Sequence, residues 1–130
     1  MERLDLRFGD AQNALVTIQE ILKEPFSVIV RDASIQRFEY TFEAFWKFIR
    51  EYLKEKEGLI ANSPKACFRE LFALGICGEE ESVQLQEMTD KRNDTSHTYK
   101  EQVAQAIYET LRGYALLMER VLNEVQRHIQ

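Results

Sequence analysis

The chain has 130 residues and a formal net charge of −5, and 45% of its residues are hydrophobic and 30% charged. This balance is typical of one soluble globular domain spanning residues 1–130, and it excludes an intrinsically disordered chain. The acidic net charge also argues against a protein whose main function is to bind duplex DNA, because neutralisation of phosphates by basic residues dominates that affinity. No apolar run approaches the roughly 20 residues of a membrane span, and the charged N-terminus does not look like a signal peptide, so we expect a cytoplasmic protein without membrane contact.

The first 30 residues predict one amphipathic helix followed by a linker. Apolar residues recur at alternating spacings of four and three, which places them on one helical face: Leu4, Phe8, Ala11, Leu15, Ile18 and Leu22. Pro25 is predicted to end this helix, and residues 26–30 (FSVIV) to form a short apolar linker. Asp32 or Ser34 is predicted to cap the next helix.

An unusually aromatic second helix is predicted from Ile35 to Leu53. Its apolar positions cover more than one stripe: Phe38, Tyr40, Phe42, Phe45, Trp46, Phe48, Ile49 and Tyr52. Two interpretations are open: the helix lies at the centre of the core, or Phe48, Tyr52 or their neighbours also face a second subunit. Gly58 is predicted to end the helix.

A short third helix is predicted between Ser63 and Gly75. Ser63 followed by Pro64 is a strong start signal, and the glycine stops the helix. Cys67 and Cys77 are too far apart for a metal knuckle or a redox pair. Their apolar neighbours indicate buried thiols in a reducing compartment.

A fourth helix is predicted to begin after Gly78. We interpret the three glutamates at 79–81 as its first turn and not as a metal site, because no further ligand stands at a suitable spacing. Its modest apolar side consists of Val83, Leu85 and Met88. No metal and no cofactor are expected.

The last predicted helix runs from about Lys100 to Arg127 with a long apolar stripe, and Gly113 within it is interpreted as a close helix crossing. Three long and two shorter helices with short connections predict an all-α fold. The expected architecture is an antiparallel up-and-down helical bundle, similar to a four-helix bundle, with about five helices.

Residues 91–99 (KRNDTSHTY) carry the chemistry that stands out. Because residues 93–96 are turn formers, Arg92 is expected to end one helix and His97 to open or precede the next. An arginine fork fits a phosphate and a histidine can move a proton, so the pair could cleave RNA without a metal, with Asn93 orienting either partner. The reaction needs both a general acid and a general base, for which a single histidine is too few. A two-fold dimer would supply two histidines. On spacing alone, Arg92 could equally be a cation at a helix end and His97 a turn residue on the surface.

Local charge around this stretch is mixed. Lys91 and Lys100 flank His97 and are candidate phosphate or RNA contacts. Nearby acidic residues, among them Asp90 and Asp94, oppose them.

The string RNDTSHTY resembles the R-x4-H-x-Y signature of HEPN domains, carried by Arg92, His97 and Tyr99, and Asn93 matches the frequent R-N opening. More narrowly, the whole chain is similar to HEPN proteins described as nucleotidyltransferase substrate-binding subunits. The resemblance implies a homodimer that pairs with a minimal nucleotidyltransferase, in some cases as a toxin–antitoxin system. It also implies a metal-independent endoribonuclease site at Arg92 and His97, silenced when the partner adds AMP to Tyr99.

Three hypotheses follow. The chain is a subunit that presents a substrate, or Tyr99 itself, to a nucleotidyltransferase. Its dimer is a ribonuclease and therefore a toxin when unpaired. Alternatively, it is a helical adaptor or a nucleotide- or substrate-binding subunit without ribonuclease activity, in which Tyr99 only packs at the start of the last helix.

Overall fold

The computed structural model describes residues 2–130 and contains five α-helices. They are α1 (Glu2–Ile21), α2 (Val28–Tyr52), α3 (Pro64–Ala73), α4 (Glu79–Asp94) and α5 (Glu101–Ile129). A π-helical turn, Leu53–Glu57, extends α2, and a 3₁₀ turn, Thr95–His97, follows α4. Residues 2–130 contain no β-strand. The all-α prediction is therefore confirmed.

Contacts along the helices give their directions. Phe8 of α1 packs edge-on against Phe48 near the end of α2, while Thr17 meets Tyr40 nearer its start, so α1 and α2 are antiparallel. The α5 helix is also antiparallel to α1, because Arg112 donates a hydrogen bond to the carbonyl of residue 22, whereas the later Glu119 accepts one from the earlier Gln19. Arg120, late in α5, contacts Glu81 at the start of α4, so α4 and α5 are antiparallel as well. The bundle thus alternates in direction along α1, α2, α4 and α5, as predicted, with α3 in the crossover before α4.

Two helices that are distant in sequence point the same way. Arg31 at the start of α2 contacts Glu101 at the start of α5, and Phe38 further along stacks on Tyr114. α2 and α5 are therefore parallel and begin at the same end of the bundle.

The core is built around α2. Its largest fully buried aromatic side chains pack on α1, α3 and α5: Phe38, Phe42, Phe45, Phe48 and Tyr52. Phe48 is 0% exposed and Tyr52 1%, so the interpretation that these two residues face a second subunit is wrong. Burying aromatic rings of this size supplies much of the free energy that stabilises the fold.

The start of α2 differs from the prediction. The helix begins at Val28, and Ser27 caps it by accepting a hydrogen bond from the Val30 amide at 3.0 Å. Residues 28–30 of the predicted 26–30 linker therefore belong to α2, and the predicted caps Asp32 and Ser34 are wrong. Ser34 instead donates to the Val30 carbonyl inside the helix at 2.7 Å.

Other helix ends follow the sequence signals. Ser63 caps α3 with Pro64 as its first residue. Gly58 and Gly75 adopt left-handed conformations with φ of 67° and 75°, and they terminate the π turn and α3. These conformations strain any residue with a Cβ atom, which explains why glycine stands at both positions.

Two smaller predictions fail. Val83 is 52% exposed, because α4 packs through Leu85 and Met88 and a residue two positions before Leu85 faces away. Gly113 lies on the exposed side of α5, and a Cβ atom there would meet open space, so it does not mark a close helix crossing.

Both cysteines are free and buried, as predicted. Burial raises the pKa of Cys67 to about 11 and that of Cys77 to about 12. None of the helices within the described part of the chain is long and apolar enough to cross a membrane.

Candidate functional site

The predicted motif lies where α4 passes into α5. The α4 helix continues two residues beyond Arg92, so the prediction that Arg92 ends it is wrong by that margin. The physical reason is that the turn formers bond backwards: the Ser96 hydroxyl donates to the Asn93 carbonyl at 3.1 Å. This tightens the last turn into a 3₁₀ turn instead of breaking the helix. His97 precedes the next helix, as predicted.

Thr95 anchors the turn from inside. It is 5% exposed. Its hydroxyl donates one hydrogen bond that is shared by two acceptors, the Arg92 carbonyl at 2.7 Å and a Glu39 carboxylate oxygen at 3.2 Å. The same hydroxyl accepts a hydrogen bond from Arg92 Nη1 at 3.0 Å. One small side chain thereby ties the motif to α2.

Arg92 faces carboxylates on α2. Its guanidinium lies 3.5 Å from Glu43 and 3.8 Å from Glu39, and its side chain is 27% exposed. These residues line an open hollow together with Gln36 and Tyr40. The carboxylates fix the position of the guanidinium, and an incoming phosphate has to compete with them.

His97 and Tyr99 lie on the surface. Their rings meet edge to face with centroids 6.0 Å apart, and Lys100 Nζ lies 5.9 Å from the Tyr99 ring centroid. Tyr99 is 76% exposed, so the interpretation that it only packs at the start of the last helix is wrong. Its phenol is accessible to another molecule.

One copy of the chain does not join the predicted pair. Across residues 2–130, no hydrogen bond or ion pair connects Arg92 with His97. Asn93 and Lys100 are exposed and Lys91 is half-buried. The predicted residues therefore share one edge of the bundle without forming a closed site.

Sequence reasoning missed the α2 side of this edge. Glu39 and Glu43 stand one turn apart on a helix whose sequence stands out for its aromatic residues. The four-residue spacing of these two acidic residues, which places them on one face of a helix, was the available sequence signal for this acidic surface.

An ion pair between buried Arg31 and exposed Glu101 fixes the start of α5 just after Tyr99. Arg31 is 3% exposed, and its Nη2 donates to Glu101 at 3.1 Å while its Nε donates to Asp32 at 3.2 Å. The hydrogen bond with Arg31 lowers the pKa of Glu101 and raises that of Arg31. Nothing in the sequence around either residue predicted this contact.

Metal binding finds no support in the geometry. No group of three or more His, Cys, Asp or Glu side chains within residues 2–130 is arranged to hold an ion.

Solved structures share the fold. The protein ttk003001694 from Thermus thermophilus is 48% identical, with 88% of this chain and 98% of that chain covered and a TM-score of 0.85. A chain of a mutant toxin–antitoxin complex, MntA-HpeT, is 14% identical over 98% of this chain and 99% of its own, with a TM-score of 0.80. HI0074 from Haemophilus influenzae, whose structure reveals the fold of a substrate binding domain of a nucleotidyltransferase, is 24% identical over 96% and 98%, with a TM-score of 0.64.

No curated protein matches the chain. A family model, described as nucleotidyltransferase substrate binding protein like, matches residues 6–127, which is nearly the whole chain. The chain therefore belongs to the nucleotidyltransferase substrate binding protein like family.

Proposed function

We propose that this chain is a HEPN-type subunit that pairs with a minimal nucleotidyltransferase and presents Tyr99 as an AMP acceptor. The observation that carries the proposal is the exposure of Tyr99, 76%, on a turn held rigidly between two helices. Family membership supports the pairing. So do the structural neighbours, one from a toxin–antitoxin complex and one a substrate binding domain.

The transfer needs help from the partner. A phenol with a pKa of about 10 is a poor nucleophile at neutral pH. The partner's base removes the proton of the Tyr99 hydroxyl, whose oxygen attacks the α-phosphorus of ATP. A new O–P bond forms, the bond to the bridging oxygen breaks, and pyrophosphate leaves; a metal ion held by the partner would neutralise its charge.

The added phosphate changes the local charge. It stands two residues from His97 and beside Lys100, whose ammonium already lies over the Tyr99 ring. An arginine-rich or lysine-rich surface gains new ion pairs with such a group. The modified tyrosine would cover the surface that an RNA phosphate needs.

Co-expression with a candidate minimal nucleotidyltransferase partner tests the proposal. We expect the two chains to co-purify, and intact-mass and peptide mass spectrometry to find AMP on Tyr99 after incubation with ATP and Mg²⁺. Tyr99→Phe should abolish the modification, whereas the matched control Tyr40→Phe, at an exposed tyrosine near Arg92, should leave it unchanged. Absence of a complex, or AMP on Tyr40 instead, contradicts the proposal.

A second function shares the same edge. The exposed imidazole of His97 and the guanidinium of Arg92, which Thr95 holds at the same turn, favour a metal-independent endoribonuclease, active when the chain is unpaired. The RNA 2′-hydroxyl would attack the neighbouring phosphorus and the 5′-oxygen would leave, giving a cyclic phosphate. His97 would move the protons, Arg92 would stabilise the phosphoryl charge, and Lys91, Asn93 and Lys100 would position the strand.

A homodimer completes this second proposal. Because a single copy leaves Arg92 and His97 unjoined, two copies facing each other are needed to supply an acid, a base and two cations in one cleft. Sedimentation of the isolated chain should therefore show a dimer.

Cleavage of RNA in EDTA tests the second proposal. His97→Ala should abolish cleavage without changing the melting temperature, and the matched control His128→Ala, on the far end of α5, should cleave as the natural chain does. No cleavage by the natural chain would leave a non-catalytic adaptor or substrate-binding subunit, and equal cleavage by His97→Ala would show that the activity does not come from this site.

A further inference from the structure

A second hollow lies at the opposite end of α2 from Tyr99. Glu51 in its lining stands about 18 Å along the helix axis from Glu39. The cavity has a volume of about 320 Å³ and opens to solvent. Its lining includes Arg3, Arg50, Glu51, Lys54 and residues 59–61. None of these residues belongs to the site described above.

Glu51 is the unusual residue of this cavity. It is 7% exposed, and its Oε2 atom is buried without a hydrogen-bond partner in the structure. Buried carboxylate oxygens are normally paired, because burying an unpaired acceptor is costly. Because Glu51 also lines the cavity, a turn of its carboxylate would bring this oxygen to a molecule inside, from which it would accept a hydrogen bond.

Three cations line the same cavity as this carboxylate. Arg3 and Lys54 are exposed, and the guanidinium of Arg50 is held 4.8 Å from the centre of the Trp46 ring. Against the single charge of Glu51 they leave two positive charges in excess, in a chain whose net charge is −5. The cavity is thus a local positive site on an acidic protein, which attracts small anions.

The backbone shapes the cavity. Residues 53–57 form a π-helical turn, a rare geometry that often occurs at functional sites, and Gly58 with φ of 67° turns the chain back. The Leu59 amide then bonds to the Leu53 carbonyl at 3.0 Å, which brings residues 59–61 over the hollow as an apolar wall.

We propose that this cavity binds a small phosphomonoester that carries hydroxyl groups, such as a sugar phosphate. The dianionic phosphate matches the two excess positive charges, and a hydroxyl donates to Glu51 Oε2. A neutral hydroxyl fits better than an ammonium, which three neighbouring cations would repel. The volume lies at the lower end of the range for ligand pockets, which favours a small ligand.

Calorimetric titration of the full chain with three probes tests the proposal. Ribose 5-phosphate should bind at least about tenfold more tightly than inorganic phosphate, because only it reaches both the cations and Glu51. Ribose alone should show no saturation. Equal affinity for ribose 5-phosphate and inorganic phosphate, or no binding of ribose 5-phosphate, would overturn the proposal.

Two variants locate the binding. Glu51→Gln should bind inorganic phosphate more tightly, because a negative charge beside the cations is removed, and should lose most of the preference for ribose 5-phosphate, because a neutral amide oxygen is a weaker acceptor than a carboxylate. Its matched control is Glu55→Gln, an exposed glutamate on the same π turn, which should bind as the natural chain does. Unchanged binding by Glu51→Gln contradicts the proposal.

Lys54→Ala keeps the test decisive if Glu51→Gln fails to fold, since Lys54 is exposed. It should weaken ribose 5-phosphate severalfold, whereas Lys56→Ala, outside the cavity, should not. Equal effects of the two lysine variants would show a nonspecific response to charge and contradict the proposal. Because Tyr99 lies far from this cavity, these titrations succeed or fail independently of AMP transfer.

Discussion

At Arg92, a guanidinium that can bind phosphate is held against two carboxylates. Glu43 lies 3.5 Å away and also accepts a hydrogen bond from the Trp46 indole at 3.1 Å. A carboxylate so close lowers the affinity of the arginine for any other anion. The acidic side of α2 therefore tunes the site that the motif supplies.

We predict that Glu43→Gln strengthens binding of a short RNA about two- to fivefold, the range expected when one partly exposed ion pair is removed. The glutamine oxygen can still accept from Trp46, so the fold should be retained. Fluorescence anisotropy at fixed salt measures the change. Glu24→Gln, an exposed glutamate beyond the end of α1, is the control, and weaker binding by Glu43→Gln would argue against phosphate binding at Arg92.

The pair between Arg31 and Glu101 makes folding sensitive to acid. Its hydrogen bond lowers the pKa of Glu101 from the usual value of 4.5 in the folded protein. A carboxylate with a lowered pKa stabilises the fold above its unfolded pKa, and this contribution is lost as the pH falls through the folded pKa.

The melting temperature of Glu101→Gln should therefore lie below that of the natural chain near neutral pH. The gap should stay constant down to about pH 5 and close as the pH falls further, because protonation removes the ion pair from the natural chain too. Circular dichroism melts between pH 7 and pH 3 measure it. Equal melting temperatures of Glu101→Gln and the natural chain near neutral pH would show that the pair does not stabilise the fold, and Glu109→Gln on the same helix should show no gap.

At the scale of helices, two glycines should respond oppositely to alanine. Gly58→Ala should destabilise the protein by about 1 kcal/mol, because its left-handed conformation strains a Cβ atom. Gly113→Ala should stabilise it by about 0.8 kcal/mol, because it replaces an exposed mid-helix glycine with open space around it. Urea unfolding measures both, and a loss of stability in Gly113→Ala would restore the interpretation of a close crossing.

Helix ends were predictable where one residue type is required. Proline after serine at 63–64 and left-handed glycine at 58 and 75 have few alternatives, and the structure confirms them. The start of α2 was not, because its first turn is apolar yet exposed: Val28 is 51% and Ile29 82% exposed. Periodicity arguments assume that apolar residues face the core, so they predict a linker for this turn.

The same limit applies at the site. A local string of residues was enough to single out Arg92, His97 and Tyr99. Their partners on α2, Glu39 and Glu43, stand about fifty residues earlier in the chain, and only the packing of α2 against α4 brings them together. A pattern within one segment carries no information about such a contact.

For the whole molecule, the buried thiols report on how the bundle opens. Cys67 and Cys77 should not react with dithiobis(nitrobenzoic acid) at pH 8 in the folded protein, because both are buried and their raised pKa values keep them protonated. In urea both should react at once. Fast reaction of either thiol in the folded protein would show that the end of the bundle near α3 opens locally.

The shared direction of α2 and α5 has an electrostatic consequence for an incoming nucleotide. Both helices start at the end of the bundle that carries Tyr99, and the first turn of a helix exposes unpaired amide protons with a partial positive charge. A triphosphate brought to that phenol by another protein would approach the unpaired amide groups at the N-termini of both helices. The partial positive charges of these helix N-termini would attract a polyanion to this end of the bundle, although the chain as a whole is acidic.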